Sequence, residues 1–306
     1  QKTKKRCTGK ETIMSFEDYH VHTHFSDDSS YQMEQVVKDA IQMNMDELCF
    51  TDHVDYGIKQ DPETASEEFL AKASETIDDD DWHPGMERFV LNVHYPSYMS
   101  QIEQMKKKYG GRIELKTGLE FGIQSHTIPD FQKLYHRFED QWDFILLSIH
   151  QVDDKEFWTQ EFQEGKSQLE YNRAYYEELL KVVREYKDYS VLAHMDLIIR
   201  YDKAGRIDFD QVSDLIEKIL KTIIADGKGL EVNTSSIRYE MNSLHPSAEI
   251  LKLYKNLGGT ILTFGSDSHK PEHLGAGIQE QKEMVKALGF DQYCTFEKMK
   301  PIWHSL

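Results

Sequence analysis

The sequence predicts an α/β protein whose parallel strands form either a doubly wound sheet or a closed barrel. Seven apolar, β-rich runs alternate with amphipathic helical stretches, a pattern that produces parallel strands joined by helical crossovers. The length of 306 residues suits a single barrel, and 39% hydrophobic residues are enough for a sizeable core. No GxGxxG or Walker signature marks the nucleotide-binding kind of doubly wound sheet.

The elements follow one another in regular order. The predicted strands cover residues 16–22, 48–53, 113–122, 144–150, 190–194, 230–234 and 260–267. The predicted helices cover residues 33–43, 102–109, 169–186, 209–225, 248–257 and 280–288. The long loop 55–99 has room for a lid or a short helical insertion.

We expect residues 14–306 to form this one domain. Residues 1–13 are basic and lack the apolar segment of a signal peptide, so we expect them to be a disordered tail or an addition to the natural chain.

The three cysteines include no CxxC pair, which favours a reduced, cytoplasmic protein. No apolar run approaches the ~20 residues of a membrane span. A net charge of -18 disfavours nucleic-acid partners, although bound metal ions would still allow a small anionic substrate.

Almost every predicted strand ends in a histidine or an acidic residue. The strand ends read His20-Val21-His22, Thr51-Asp52-His53, Gly118-Leu119-Glu120, Ser148-Ile149-His150, Ala193-His194 and Asp267-Ser268-His269. In a parallel barrel the C-terminal strand ends converge on one face, where active sites lie. We therefore expect these side chains to meet in one pocket.

The composition of this set points to metal ions. Alternate residues of a strand share a side, so His20 and His22 point the same way, as do Asp267 and His269. A carboxylate such as Glu120 can bridge two ions, and nitrogen and oxygen donors without a thiolate suit Zn, Mn or Fe. A single histidine at a strand end is more often a hydrogen-bonded core residue. Burying this many imidazoles and carboxylates without metal would be costly, which favours a metal cluster.

These motifs resemble those of the polymerase and histidinol phosphatase (PHP) superfamily, from about Phe16 to the end of the chain. Within it they are most like the histidinol-phosphate phosphatases. The segments that point there are Phe25-Ser26-Asp27-Asp28-Ser29, Thr51-Asp52-His53-Val54-Asp55-Tyr56 and Leu230-Glu231-Val232-Asn233-Thr234-Ser235. The resemblance implies a distorted (β/α)7 barrel, similar to a TIM barrel, with its metal site at the C-terminal ends of the strands.

The resemblance also implies nine ligands around three metal ions. They are His20, His22, Asp28, His53, Glu120, His150, His194, Asp267 and His269. The acid in the loop after the first strand is either Asp27 or Asp28. We choose Asp28, because Ser26-Asp27-Asp28-Ser29 meets the Ser-x-Asp-Ser pattern of this subgroup, whereas other branches place the acid one residue earlier. We expect two or three divalent ions, with Zn, Mn and Fe all acceptable.

The implied reaction is hydrolysis of L-histidinol phosphate to L-histidinol and phosphate, a late step of histidine biosynthesis. A hydroxide bridging two ions would attack phosphorus, since metal binding lowers the pKa of water towards about 7. We expect Asp267, Glu120 and His269 to take part in catalysis, with Asp267, or an acid just outside the ligand set, holding or relaying the hydroxide proton. We expect Arg200 and Arg238 to bind the phosphate, because an arginine fork matches two phosphate oxygens.

The cationic amine and imidazole of histidinol would be bound by an acidic or aromatic wall, for which Asp55, Tyr56 and Glu161 are candidates.

Other functions compete with this hypothesis. The alternatives are a PHP-type phosphatase for protein phosphotyrosine or another small phosphoester, a phosphodiesterase or nuclease, and a metal-binding domain without catalysis. The acidic charge disfavours the nuclease, and the complete ligand set disfavours the non-catalytic domain. The sequence indicates nothing about the oligomeric state.

Overall fold

A computed structural model of the chain describes residues 15–74, 89–241 and 243–306, so the predicted tail 1–13 lies outside the described residues. The described strands are β1 (Glu17–Val21), β2 (Glu47–Phe50), β3 (His53–Val54), β4 (Glu114–Gly122), β5 (Phe144–Ser148), β6 (Gln151–Val152), β7 (Lys155–Glu156), β8 (Val191–Leu192), β9 (Gly229–Asn233), β10 (Leu262–Gly265), β11 (Gln292–Glu297) and β12 (Lys300–Ser305). The described α-helices are α1 (Met33–Gln42), α2 (Glu67–Ala73), α3 (Tyr95–Tyr109), α4 (Ile128–Arg137), α5 (Gln168–Glu185), α6 (Ser213–Ala225), α7 (Ala248–Asn256) and α8 (Ile278–Ala287).

The parallel strands form a nearly closed barrel, so the barrel alternative of the sequence prediction is confirmed. The strand order is β1-β2-β4-β5-β8-β9-β10. β3 also pairs with β4, and the pairs Glu47–Glu114 and His53–Glu120 share one register, so β2 and β3 together fill one of seven positions. The seam between β1 and β10 is bridged just beyond β10, where the His22 N–H donates to the Ser268 carbonyl at 2.8 Å.

The helices that connect the strands bury one apolar face against the barrel. α1 buries Met33, Val36, Val37 and Ala40 along one side, as the period of an amphipathic helix predicts. The predicted helix bounds lie within a few residues of those in the structure, except that α3 begins seven residues earlier. There the His94 side chain accepts a hydrogen bond from the Ser97 N–H.

The end of the barrel opposite the strand C-termini is covered by the β11–β12 hairpin, which the sequence did not predict. Phe296 of β11 packs on Phe144 inside the barrel, with ring centroids 5.1 Å apart. Tyr19 packs edge-on against Phe144 at 4.9 Å, and its hydroxyl accepts from the Phe296 N–H at 2.8 Å. An apolar layer therefore fills the barrel beneath the strand C-termini.

The structure also bears on the expectations about cysteines and membrane-spanning segments. Cys49 and Cys294 are buried and neither is in a disulfide. Within the described residues, every helix is too short or too polar to span a bilayer.

Candidate metal centre

The geometry of β1 brings two histidines into the barrel. A register shift between Asp18 and Val21 marks a bulge in the pairing of β1 with β2. A bulge re-aims the side chains next to it. As a result, consecutive residues Tyr19 and His20 both contact the barrel interior, and His22 lies beside His20 with ring centroids 5.0 Å apart.

Glu120 of β4 lies at the centre of the site, with its side chain 1% exposed. Its Oε1 is 2.7 Å from His194 Nε2 and 3.1 Å from His150 Nε2. Its Oε2 is 3.1 Å from both His20 Nε2 and His53 Nδ1. Four imidazoles from four strand positions thus converge on one carboxylate.

The remaining predicted ligands complete the same cluster. Asp267 Oδ1 lies 3.5 Å from His22 Nε2. His269 stacks on His22 with ring centroids 4.0 Å apart, and its Nε2 is 3.1 Å from Asp28 Oδ2. The structure therefore brings together all nine side chains that the sequence proposed as ligands.

The donor atoms are spaced as a metal cluster requires. Four groups of three have their donor atoms within 4.8 Å of one another: His22, His53 and His269; His20, Glu120 and His194; His20, His22 and Asp267; and His53, Glu120 and His150. Two buried ring nitrogens, His22 Nε2 and His194 Nδ1, make no hydrogen bond within the described part of the chain. Buried polar atoms normally have partners, so these residues fit a site for metal ions.

Electrostatics couples the cluster tightly. Burial raises the pKa of Glu120, but the surrounding imidazoles outweigh burial and hold this pKa well below its ordinary value. Burial lowers the pKa of His150, yet Glu120 and Asp55 raise it overall to about 10. Burial and the neighbouring His269 hold the pKa of His22 well below its ordinary value. A metal cation that binds a ring nitrogen would take the place of the proton there and would supply the same positive charge to the carboxylates.

Two of these side chains project from strained backbone. His194 has φ of 24° and Asp267 has φ of 56°, a region that non-glycine residues rarely adopt. Gly265, at the end of β10, has room only for hydrogen, because a Cβ there would lie 2.3 Å from His20 Cβ and 2.5 Å from Glu231 Oε1. Strain and close packing of this kind persist where the surrounding structure holds a functional geometry.

A second layer of polar residues orients the histidines. Glu231 accepts from His20 Nδ1 at 2.5 Å and from the His194 N–H at 3.0 Å. Asp55 accepts from His150 Nδ1 at 2.7 Å. Such partners fix the tautomer and direction of a metal-binding imidazole. The role of Glu231 was not predicted from the sequence, and Asp55 was expected in the substrate wall, although both residues lie in the segments that carry the family resemblance.

The two loop aspartates point to different partners. Asp28 Oδ2 is 3.1 Å from His269 Nε2 and 3.6 Å from His53 Nε2. Asp27 Oδ1 accepts from Lys59 Nζ at 2.5 Å. The placement of Asp28 beside two histidines accords with its choice as the ligand.

A cavity of about 220 Å³ opens over the cluster. Arg200 lines it, with a side chain 8% exposed and an Nη2 that donates to Ser235 Oγ at 2.5 Å. Arg238 instead donates to the Ser266 carbonyl at 2.7 Å and the Asp267 carbonyl at 2.5 Å, and is not among the lining residues. Arg200 therefore lines the cavity, and Arg238 lies beside Asp267, with Nη2 3.6 Å from Asp267 Oδ2.

The candidate wall residues divide in the same way. Asp55 lines the cavity, whereas the Tyr56 hydroxyl donates to Asp61 at 2.9 Å and lines a separate cleft. Glu161 lies in an outer loop pocket. The cavity is also lined by one further carboxylate, Glu156, and by the aromatic residues Trp158, Tyr201 and Tyr239, which the sequence did not predict.

Comparisons with known proteins point to one family. A family model described as the PHP domain matches residues 18–235. A curated relative from Lactococcus lactis subsp. lactis, named histidinol-phosphatase, is 30% identical over 290 residues, which cover 92% of this chain and 95% of the relative.

Solved structures agree with the sequence comparisons. The crystal structure of histidinol phosphate phosphatase from Lactococcus lactis subsp. lactis, in complex with zinc, L-histidinol and phosphate, has a TM-score of 0.76 and 27% identity. The match covers 94% of this chain and 99% of that one. A structure from Listeria monocytogenes, with a TM-score of 0.67 and 20% identity over 86% of this chain and 99% of that one, shows the same fold.

Proposed function

The chain belongs to the PHP domain family, and from that premise we propose that it is a metal-dependent phosphomonoesterase acting on L-histidinol phosphate. The observation that carries the proposal is the convergence of nine histidine and carboxylate side chains, with Glu120 at their centre, beneath a cavity lined by Arg200. The Lactococcus relative, which binds zinc, L-histidinol and phosphate, supports the choice of substrate. The products are L-histidinol and phosphate, which places the reaction in histidine biosynthesis.

We propose two or three divalent ions, of which zinc has the most direct support from the relative. Zn, Mn and Fe all accept imidazole and carboxylate ligands. The ions would be held by His20, His22, Asp28, His53, Glu120, His150, His194, Asp267 and His269. When bound, such ions supply a water of low pKa and neutralise negative charge on the phosphoryl oxygens.

The chain's own groups would bind the phosphate and handle protons. Arg200 is buried beside the cluster and lines the cavity, so its guanidinium can bind a phosphate oxygen there. Asp267 directs Oδ2 towards Arg200 Nη2 at 3.4 Å. This position suits Asp267 to hold the proton of the attacking water beside the bound phosphate.

The cavity wall suits the organic part of the substrate. Glu156 supplies a carboxylate for the cationic amine or imidazole, and Trp158 and Tyr201 supply aromatic surface. The unpaired, buried Cys49 and Cys294 accord with a cytoplasmic setting.

The test is phosphate release from L-histidinol phosphate beside an aryl phosphate and a phosphotyrosine peptide. We expect kcat/KM for L-histidinol phosphate to exceed that for the other two by at least about 100-fold, because specific polar contacts discriminate strongly. Equal turnover of all three would leave a phosphatase without this substrate preference. Turnover of single-stranded DNA instead would favour the nuclease alternative.

A further inference from the structure

The loop after β1 carries two adjacent carboxylates, Asp27 and Asp28, that contact different partners. Asp28 faces His269 and His53, whereas Asp27 forms an ion pair with Lys59. Both aspartates line the cavity over the cluster. Either carboxylate is therefore close enough to the site for its orientation to matter.

The loop backbone is held on both sides of this pair. Ser26 Oγ donates to Asp52 Oδ1 at 2.7 Å, and the Ser26 N–H donates to the Thr23 carbonyl at 2.9 Å. Ser29 Oγ donates to the His269 carbonyl at 3.0 Å. With the chain path held at both ends, the partners of the two side chains decide which carboxylate faces the histidines.

Lys59 is the partner that distinguishes them. Its side chain is 7% exposed, and its Nζ lies 2.5 Å from Asp27 Oδ1 and 3.0 Å from Asp55 Oδ2. The other oxygen of Asp55 accepts from His150 Nδ1 at 2.7 Å. One buried ammonium thus pairs with two carboxylates, and a buried charge needs such pairing.

We propose that Lys59 decides which loop aspartate binds metal: it holds Asp27 in an ion pair and so leaves Asp28 as the ligand. The same ammonium also pairs with Asp55, whose other oxygen accepts from His150. Lys59 is a positioning residue, because it acts through these carboxylates. The inference rests on the proposed function, since it takes the cluster to be a metal site. It predicts that Asp27 becomes available as a substitute ligand once Lys59 loses its charge.

The test is the zinc content of purified full-length variants after reconstitution, measured by elemental analysis. Asp28→Asn should lose about one equivalent of zinc per chain, because an amide oxygen is a weaker ligand than a carboxylate. Adding Lys59→Met to that variant should restore most of the loss, since Asp27 is released. Adding Asp27→Asn as well should abolish the recovery. Lys59→Arg, which keeps the charge, should give no recovery.

Lys116 provides a matched control. It is another buried lysine, with a side chain 7% exposed, 3.3 Å from Glu114 and 4.0 Å from Glu47 at the opposite end of the barrel. Lys116→Met combined with Asp28→Asn should hold no more zinc than Asp28→Asn alone. Recovery there would overturn the inference, because charge loss anywhere would then suffice.

The remaining outcomes are equally decisive. If the double variant Lys59→Met/Asp28→Asn holds no more zinc than Asp28→Asn while the wild type is fully loaded, the inference is wrong and the proposed function stands. If Lys59→Met does not fold, as judged by circular dichroism, the polar Lys59→Gln replaces it in the same comparison. A wild type that takes up no zinc, manganese or iron would contradict the proposed function itself.

Discussion

Arg200 combines three properties suited to phosphate recognition. Its guanidinium is buried, its side chain lines the cavity over the cluster, and the Tyr239 ring covers it at 4.2 Å. A stacked guanidinium keeps its donors in one plane, in which a phosphate can meet two of them. Arg238, by contrast, donates to two backbone carbonyls, one of them at the strained Asp267.

We predict that Arg200→Ala lowers kcat/KM for L-histidinol phosphate by about 100-fold, mainly through KM, because hydrogen bonds to a charged group contribute about 1.5–3 kcal/mol. Steady-state kinetics measure this effect. Arg173→Ala, which removes a partly exposed arginine paired with Asp214, is the control. Arg238→Ala should act mainly on kcat and metal content, through Asp267. A normal KM for Arg200→Ala would exclude it from phosphate binding.

Glu47 gives a prediction about pH at the far end of the barrel. Burial raises the pKa of its carboxyl from the ordinary 4.5 to about 7, despite the hydrogen bond from Tyr19 and the nearby Lys116. Between these values the folded state holds a proton that the unfolded state releases. This contribution to stability is therefore complete below pH 4.5 and is lost as pH rises through 7.

Glu47→Gln should remove that dependence, because the amide stays neutral at every pH. Relative to the variant, the wild type should lose about 2–3 kcal/mol of unfolding free energy between pH 4.5 and 8. Denaturant unfolding at several pH values measures the difference. Glu103→Gln, an exposed change on α3, should give a difference close to zero throughout. A wild type whose stability relative to Glu47→Gln stays level with pH would contradict the prediction.

At the residue scale, the proposed metal ligands could be predicted from the sequence, whereas the residues that orient them could not. The proposed ligands could be recognised because each follows an apolar strand run, and the family motifs supplied Asp28. Glu231 and Lys59 could not be assigned, because their roles depend on distances to His20 and Asp27 across the barrel. The bulge in β1 likewise arises from pairing with β2, which composition does not encode.

At the scale of elements, the strands of the barrel were predictable and the β11–β12 hairpin was not. Buried parallel strands are continuous apolar runs, which stand out in any sequence. The hairpin turn uses Lys298 and Met299 with φ of 49° and 63°, where glycine or asparagine usually provides the signal. Pro301 further weakens the strand pattern of β12.

We predict that Phe296→Ala destabilises the protein by about 3–5 kcal/mol, because it leaves a cavity against Phe144 inside the barrel. Trp303→Ala, in the neighbouring strand of the same hairpin, removes a residue 44% exposed and should cost less than about 1 kcal/mol. Thermal or denaturant unfolding separates the two. Equal losses would indicate that the hairpin does not depend on the interior contact.

At the scale of the whole molecule, charge and metal binding are linked. The chain carries a net charge of -18, and the cluster concentrates carboxylates in a buried space. Cations bound there would reverse the local field and allow an anionic phosphate to approach. They would also stabilise the fold, since they bind the native state and have no preformed site in the unfolded chain.

We predict that a chelator lowers the thermal midpoint by roughly 5–10 °C, because a ligand at 1,000 times its Kd contributes about 4 kcal/mol. Differential scanning fluorimetry with and without chelator measures the shift, and added zinc should reverse it. Elemental analysis must accompany the scan. Loss of metal with an unchanged midpoint would show that the cluster folds equally well without ions.

The aromatic layer above the hairpin has a consequence for the reaction. Tyr19, Phe144 and Phe296 fill the barrel below Glu120, while the cavity lies above it. The site is thus bounded by a medium of low polarisability on one side and by solvent on the other. The electric field of bound cations would be directed away from the apolar layer and out through the mouth of the cavity. On an otherwise negative surface, the mouth becomes the place that draws a phosphate monoester inward.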